Sequence, residues 1–263
     1  MRTDYKALDL KIEEHVLTVT LNRPDAGNAL NTLMLTEVVE LLSALYVNPE
    51  GVRCIVLTGS GDRIFCAGGD LKERKGMSDE AWRMQHALTE QMMRHLLECP
   101  IPVIAAVNGA AFGGGCELVV AVDFAYAADT ARFALTEVTL GIHPGAGGTQ
   151  NLARACGVRR AKEITLTGLP FSAHEALEWG VVNKVCPAEF LMQEVMATAK
   201  RIAGNAPIAV QQAKKSVSMA TQLDIASGYR FELESYYRTI PTQDRLEGVL
   251  AFNEKRKPVF TGK

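Results

Sequence analysis

The strongest constraint on the fold is an alternation between short apolar strands and helical segments of ten residues or more. Three buried strands are predicted in VRCIVLTG, PVIAAV and DFAYAA, which are rich in β-branched or small apolar residues. Helix-length segments occupy residues 31–48, which Asn31 can cap and Pro49 ends, and residues 78–99, which stop before Pro100. Because strands that alternate with helices form right-handed βαβ units, we expect an α/β fold with a mainly parallel sheet.

The two ends of the chain depart from this alternation. At the start, LDLKIEE and VLTVTLN alternate apolar and polar residues on either side of His15, as in a β-hairpin. From about Ser172, helical periods dominate in SAHEALEWG, EFLMQEVMATAKRIAGN, APIAVQQAKKSVSMA and residues 224–238, with room for one short strand, VVNKV. No sharp linker is visible, so we expect one large domain or a domain with an appended helical part.

Composition disfavours several classes of partner. The chain has 28 Lys and Arg against 30 Asp and Glu, so its net charge of -2 provides no global field for nucleic acid or an anionic membrane. The first fourteen residues lack the apolar core of a secretory signal, and the longest uncharged stretch, residues 99–116, is interrupted by prolines and glycines. The six cysteines show no CxxC spacing. We therefore expect a soluble, cytoplasmic protein with reduced thiols.

Two glycine-rich segments lie between a predicted strand and a predicted helix. They are FCAGGDLKE, residues 65–73, and NGAAFGGGCEL, residues 108–118. At such junctions free backbone amides converge, and the missing side chains let a ligand approach. The pair could hold an oxyanion, or each segment could be only a tight turn. Neither matches GxxxxGK[ST] or GxGxxG, which disfavours nucleotide phosphate binding of those types.

Two glutamates near these segments are the candidate acids. Glu117 follows Gly114 by three residues on nearly the same helix face, within an apolar run where an unpaired charge is costly to bury. The alternative is a glutamate paired near a helix start. Glu137 precedes the loop GIHPGAGGTQ, and its alternative is a solvated turn carboxylate. The sequence contains no HxxxH, HExxH or GxSxG motif and no Cys/His cluster with metal spacing, so we predict neither a metal nor a serine nucleophile.

At these motifs the chain resembles the enoyl-CoA hydratase (crotonase) superfamily over essentially its whole length. The matching segments, in order, are LNRPDAGNALN, FCAGGDLKE, NGAAFGGGCEL, LTEVTLGIHPGAGGTQ and TIPTQDRLEGVLAFNEKRKPVF. The resemblance implies a crotonase-like spiral of ββα units over residues 1–195 and a C-terminal helical trimerisation region over residues 196–263. It implies homotrimers that commonly pair into hexamers. The substrate would be an acyl-CoA thioester, with no further cofactor, nucleic acid or membrane involved.

The resemblance also implies roles for individual residues. The oxyanion hole falls on the backbone amides of Gly69 and Gly114, and the two acids of hydratases fall on Glu117 and Glu137, whereas many isomerases, hydrolases and decarboxylases lack one or both. The implied activity is that of an enoyl-CoA hydratase, a carbon–oxygen hydro-lyase of fatty-acid β-oxidation or of branched amino-acid or isoprenoid breakdown. In it Glu117 would deprotonate the water and Glu137 would deliver the α-proton.

Contacts to CoA and substrate are implied for a further set of residues, which combines the first glycine segment with parts of both ends of the chain: Ala26, Ala67, Gly68, Asp70, Leu71, Lys72, Phe260 and Lys263. Lys72 would lie near the phosphates. The last two would reach the adenine in the same or a neighbouring subunit. Gly27 stands where relatives often carry a basic residue, which puts one phosphate contact in doubt.

Three alternatives to a generic short-chain hydratase follow from the same comparison. The segments TIPTQDRLEGVLAFNEKRKP and GGDLKERKGMS are similar to methylglutaconyl-CoA hydratases, which act on a branched, acidic enoyl-CoA, but these segments do not obviously line an acyl pocket. Some of those proteins bind RNA through a lysine-rich helix, yet residues 31–48 contain no Lys or Arg. A non-catalytic scaffold is disfavoured because both glutamates and both glycine turns are present.

Five large side chains could form an apolar wall of the acyl pocket, or could instead pack in the helical core: Met77, Trp82, Met84, Met92 and Met93.

Overall fold

The computed structural model describes residue 2 and residues 4–263, and its strands form two sheets. The larger sheet has the order β1-β2-β3-β5-β7-β10, and the smaller has the order β4-β6-β8-β9. The strands are β1 Leu8–Glu13, β2 Val16–Leu21, β3 Cys54–Gly59, β4 Ile64–Cys66, β5 Val103–Val107, β6 Ala110–Phe112, β7 Phe124–Ala128, β8 Arg132–Ala134, β9 Phe171–Ser172 and β10 Lys184–Cys186. The predicted α/β class is therefore confirmed.

Eleven α-helices connect and cover the strands in the part of the chain that the structure describes. They are α1 Thr32–Val47, α2 Leu71–Arg74, α3 Asp79–Leu97, α4 Gly114–Ala121, α5 Gly148–Cys156, α6 Val158–Thr167, α7 Ala173–Glu178, α8 Leu191–Ala203, α9 Pro207–Met219, α10 Ile225–Tyr237 and α11 Gln243–Asn253. Asn31 caps α1, since its Oδ1 accepts from Met34 N at 3.0 Å, and Ser78 caps α3 in the same way. The predicted helix starts are thus confirmed.

From β3 to β8 the chain winds as a spiral because successive strands alternate between the two sheets. After the β1–β2 hairpin, the pairs β2–β3, β3–β5, β5–β7 and β7–β10 are all parallel, and so are β4–β6 and β6–β8. Each turn places one strand in each sheet before a helix returns, as in β5, β6 and α4. This repeated ββα turn is the predicted architecture. In the hairpin, Glu14 and His15 take the left-handed conformations that a two-residue turn requires.

The central strands β3 and β5 of the larger sheet are buried on both faces, which explains their continuous apolar runs. One face packs on Val195 and Ala199 of α8, beside Val56 and Ile104 of the sheet. The predicted boundary between residues 195 and 196 falls inside α8, which crosses β2, β3, β5 and β7. The later helices α9 to α11 bury few side chains and leave apolar residues such as Phe252 exposed. No helix within the described residues is long and apolar enough to cross a membrane.

Candidate active site

A cavity of about 850 Å³ lies where the glycine-rich segments leave β4 and β6. Its walls come from these two segments, from α3 and from the loop after Glu137. The cavity brings together all four predicted catalytic residues and three of the predicted CoA or substrate residues: Gly69, Gly114, Glu117, Glu137, Ala67, Gly68 and Leu71. Residues separated by up to 70 positions in the sequence therefore share one site.

Two backbone amides on the cavity wall are free to bind an anion. Leu30 pairs with the strand beside it by donating to Gly68 O at 2.8 Å and accepting from Asp70 N at 3.1 Å, so the N–H of Gly69 points to the other side. Gly114 begins α4, where the first amides have no acceptor within the helix. Among residue 2 and residues 4–263, neither amide donates a hydrogen bond to the protein.

Close contact between the two glycine segments brings these amides side by side. A Cβ placed on Gly114 would lie 3.8 Å from Gly69 N, and one placed on Gly68 would lie 2.7 Å from Phe112 O. Gly68 has a φ of +90°, which a side chain would strain as well. Two free amides on segments packed this closely can both donate to a single oxygen atom.

Glu117 is buried at the start of α4, and one of its carboxyl oxygens is held by two backbone amides. Its Oε1 accepts from Ala146 N at 2.8 Å and from Gly148 N at 2.9 Å, while Oε2 accepts no hydrogen bond from the described residues. Burial raises the Glu117 pKa, and these two amides, together with the charges of His86 and His143, act against the increase. One oxygen is thus fixed and the other is available as a proton acceptor.

Glu137 is the opposite case, a buried carboxyl with no donor for its outer oxygen. Only 9% of the residue is exposed, and Oε2 has no hydrogen-bond partner in the described structure. Burial, with the added charge of Glu117, raises the Glu137 pKa from 4.5 to about 7. Oε1 lies 3.2 Å from where a Cβ of Gly113 would stand, next to the free amide of Gly114. Glu137 is therefore not a solvated turn carboxylate but a buried carboxyl whose protonated form is favoured by its surroundings.

The predicted CoA residues outside the cavity link the two loops that frame it. Asp70 Oδ1 accepts from Lys72 N and Glu73 N at the start of α2, while Oδ2 forms an ion pair with Arg23 at 2.9 Å. Arg23 leads into the turn that contains Ala26, so this ion pair ties that turn to the first glycine segment. Lys72 is exposed at the same edge.

The backbone conformation and the close neighbours of Gly27 favour glycine at this position. Its φ is +61°, and a Cβ there would lie 3.2 Å from Ile64 Cδ1 and 3.3 Å from Ala67 Cβ. A basic residue at this position would require both strain and displacement of these neighbours.

Phe260 and Lys263 lie away from this cavity in their own chain. Phe260 O accepts from Arg53 Nη2 at 2.9 Å, and Lys263 O accepts from Asp244 N at 3.2 Å. Arg53 precedes β3, whereas the cavity lies beyond the other end of that strand. Their contact with the adenine of a CoA in a neighbouring subunit remains a prediction.

The sequence did not predict a full role for three cavity residues on α2 and α3, namely Arg74, Trp82 and His86. Of the five residues expected to form the apolar wall, only Trp82 lines the cavity. Met92 and Met93 pack in the main core, and Met84 is exposed. Their helical spacing matched both roles, so only the orientation of α3 could separate them.

Arg74 places a positive charge inside the cavity. Its guanidinium lies 4.6 Å from the centre of the Trp82 ring, and a Cβ on Gly69 would lie 3.0 Å from its Nη1. Its Nε donates to Gln85 Oε1 at 2.7 Å. No carboxylate of the described residues lies within ion-pair distance of Arg74. The cavity can therefore accommodate an anionic group as well as a thioester.

Metal coordination has no evident place in this site. In residue 2 and residues 4–263, no group of three or more His, Cys, Asp or Glu side chains is arranged to hold a metal ion. That the substrate's own CoA is the only coenzyme involved remains a prediction.

Comparisons with known proteins agree on one family. A family model described as enoyl-CoA hydratase/isomerase matches residues 11–263. A mitochondrial enoyl-CoA hydratase of Pongo abelii is 43% identical over 92% of this chain and 82% of its own length. A short-chain-enoyl-CoA hydratase of Clostridium acetobutylicum is 41% identical over 94% of this chain and 95% of its own. The crystal structure of an enoyl-CoA hydratase from Bacillus anthracis superposes with a TM-score of 0.96 at 43% identity, covering 98% of this chain and all of that one.

Proposed function

Because the chain belongs to the enoyl-CoA hydratase/isomerase family, we propose that it is an enoyl-CoA hydratase, which adds water reversibly to a trans-2-enoyl-CoA to give a 3-hydroxyacyl-CoA. The observation that carries this proposal is the contrast between two buried glutamates beside two free amides. Two amides favour the carboxylate form of Glu117, whereas Glu137 has no donor on Oε2 and its pKa is raised to about 7. A hydration needs one group of each kind.

The thioester oxygen would bind between the N–H groups of Gly69 and Gly114. This oxygen gains negative charge when a nucleophile adds to the β-carbon, because the electrons of the double bond move into an enolate. Two fixed donors stabilise that charge more than they stabilise the neutral carbonyl, which lowers the barrier. Removing one such donor typically costs about 10²- to 10³-fold in rate.

The two glutamates would move one proton each. The free Oε2 of Glu117 takes a proton from water as the hydroxide oxygen bonds to the β-carbon. Glu137 then gives its proton to the α-carbon, and the enolate collapses to the thioester. One water is consumed, one C–O bond and one C–H bond form, and the C=C double bond becomes single. At the end the proton has changed carboxyl, and exchange with solvent restores the starting state.

The test of this function is turnover of crotonyl-CoA. We expect the conjugated enoyl-thioester absorbance to fall and the product mass to rise by one water, with one deuterium at the α-carbon when the reaction runs in D₂O. Absence of turnover with crotonyl-CoA and with longer enoyl-CoA chains would contradict the proposal.

A second candidate substrate class is an enoyl-CoA whose acyl group carries a carboxylate, as in methylglutaconyl-CoA. The observation that favours it is Arg74, whose Nη atoms approach Gly69, where the thioester would bind. Burial lowers the Arg74 pKa, so an anion in the cavity would compensate for lost hydration of the guanidinium.

Comparing kcat/KM for two matched substrates separates the candidates. Glutaconyl-CoA is crotonyl-CoA with a carboxylate on the terminal carbon. A hydrogen bond to a charged group contributes about 1.5–3 kcal/mol, so we expect Arg74 to favour glutaconyl-CoA by about 10- to 100-fold. Equal values for the two substrates would eliminate the acidic candidate and leave the hydratase assignment intact.

The proposal also includes an oligomeric assembly and a cytoplasmic location. A homotrimer or a hexamer is supported by the exposed apolar side chains of α10 and α11, such as Ile225 and Phe252. A cytoplasmic location is supported by the burial of five of the six free thiols. Light scattering of the purified protein would measure the assembly directly.

A further inference from the structure

Gln85 on α3 is a buried amide that separates two opposite charges. Only 4% of the residue is exposed. Its Oε1 accepts from Arg74 Nε at 2.7 Å, and its Nε2 donates to Glu73 Oε2 at 2.5 Å and to Thr32 Oγ1 at 3.0 Å. A glutamine amide can serve both sides because it accepts at one end and donates at the other.

The separation matters because Glu73 and Arg74 are neighbours in the sequence and would otherwise attract each other. Glu73 is instead held in place, since the same Oε2 also accepts from Thr32 N at the start of α1 at 2.9 Å. With Gln85 between them, Glu73 accepts hydrogen bonds from neutral donors, and only the Nε of the Arg74 guanidinium donates a hydrogen bond to Gln85. The two Nη atoms of Arg74 then remain toward the cavity.

We propose that Gln85 is a positioning residue that keeps Arg74 from pairing with Glu73, and so makes the guanidinium available to a carboxylate on the acyl group of the substrate. This inference rests on the acidic-acyl candidate of the proposed function. Gln85 itself does not touch the substrate. Its effect is on substrate preference, because only a carboxylated acyl group uses the guanidinium.

Removing the amide should release Arg74 toward Glu73. In Gln85→Met, a side chain of similar length no longer bridges the two charges: Arg74 Nε loses its acceptor, and Glu73 Oε2 keeps only the hydrogen bond from Thr32 N. An ion pair between these two half-buried side chains then forms readily, since the guanidinium would otherwise have no hydrogen-bond partner. The guanidinium would be drawn away from the acyl group and partly neutralised.

The experiment measures the ratio of kcat/KM for glutaconyl-CoA to that for crotonyl-CoA. We expect Gln85→Met to lower this ratio by about 10-fold or more, mainly through a higher KM for glutaconyl-CoA. Adding Glu73→Gln to Gln85→Met should recover at least part of the loss, because the competing charge is gone. A merely structural defect would not be repaired by a second substitution. The same change at Gln212 on α9, outside the site, should leave the ratio unchanged.

Several results would overturn the proposal, and they are distinguishable. If Arg74→Met lowers the ratio but Gln85→Met keeps it within twofold of the wild type, the carboxylate site stands and Gln85 does not position it. If Glu73→Gln restores nothing, capture by Glu73 is wrong. If the wild type shows no preference and Arg74→Met changes nothing, the acidic-acyl function fails together with this inference. Should Gln85→Met not fold, Gln85→Asn, whose shorter amide cannot bridge both partners, should give a smaller decrease in the same direction.

Discussion

Replacing Gly148 by alanine tests whether the position of Glu117 limits the reaction. A Cβ at Gly148 would lie 2.8 Å from Glu117 Oε1 and 2.9 Å from its Cγ, whereas ordinary contacts begin near 3.4 Å. The carboxylate must therefore move by about 0.6 Å. Gly148 is the first residue of α5 and has no left-handed φ, so alanine is compatible with the backbone itself.

The displacement weakens the two hydrogen bonds that hold Oε1, those from Ala146 N and Gly148 N. Each bond to a charged acceptor contributes about 1.5–3 kcal/mol, and a misplacement on the order of 1 Å costs about 10²-fold in rate. We expect kcat for crotonyl-CoA to fall about 10²-fold. KM should change only a few-fold, because the amides of Gly69 and Gly114 are not altered. The midpoint of thermal unfolding should decrease modestly while the protein stays folded, because weaker hydrogen bonds and the contacts to Glu117 Cγ and to Pro144 Cβ, 3.1 Å from the new Cβ, cost stability.

The assay follows the enoyl-thioester absorbance over a range of pH. Weaker hydrogen bonds to the carboxylate should also raise the Glu117 pKa, which would move the acidic limb of the activity profile to higher pH. Gly228→Ala is a matched control, because Gly228 lies in α10 where the nearest atom to a new Cβ is 3.9 Å away. Activity of Gly148→Ala within threefold of the wild type, in a folded protein, would refute this account of Glu117.

Three further predictions concern charge. Hydration needs a protonated Glu137, whose pKa is about 7, so kcat should fall about tenfold per pH unit above that value. A pH–rate profile that stays flat to pH 9 would be inconsistent with the role of Glu137 as the acid. The Glu137 pKa is raised on folding, so the contribution of this group to stability is present below about pH 4.5 and is lost as the pH rises through 7. Between pH 5 and 8 the free energy of unfolding, measured with denaturant, should therefore decline by about 2 kcal/mol less in Glu137→Gln than in the wild type, allowing for solvent screening. A gel-shift with RNA at physiological salt should be blank because α1 carries no Lys or Arg, and firm binding would overturn this charge argument.

Much of the fold was predictable because its long elements carry local signals. Apolar periodicity and caps identified α1 and α3, and β-branched runs identified β3 and β5. The smaller sheet was not predicted, because its strands have two or three residues, too few for a period. Helix α5 was also not recognised as an element, and α11 was expected only as part of the C-terminal helical region.

The site was predictable in its members but not in its contacts. Glycines after strands pointed to the segments 65–73 and 108–118, and an acid in an apolar run pointed to Glu117, while the choice of Gly69 and Gly114 within the segments came from the family resemblance. The division of labour between the glutamates depends on the amides of Ala146 and Gly148, about thirty residues from Glu117. No local pattern encodes those hydrogen bonds. The orientation of Arg74 likewise depends on Gln85, eleven residues away on another helix.

The most direct test of the central claim is kcat for crotonyl-CoA in Glu117→Gln, Glu137→Gln and the double variant, with folding verified for each. General acid–base groups contribute about 10²- to 10⁴-fold each, and groups that act as a unit are not additive. We predict that each single variant loses at least 10²-fold and that the double variant is within about tenfold of the poorer single variant. Turnover by the double variant near the wild-type rate would contradict the claim that these two glutamates carry the reaction.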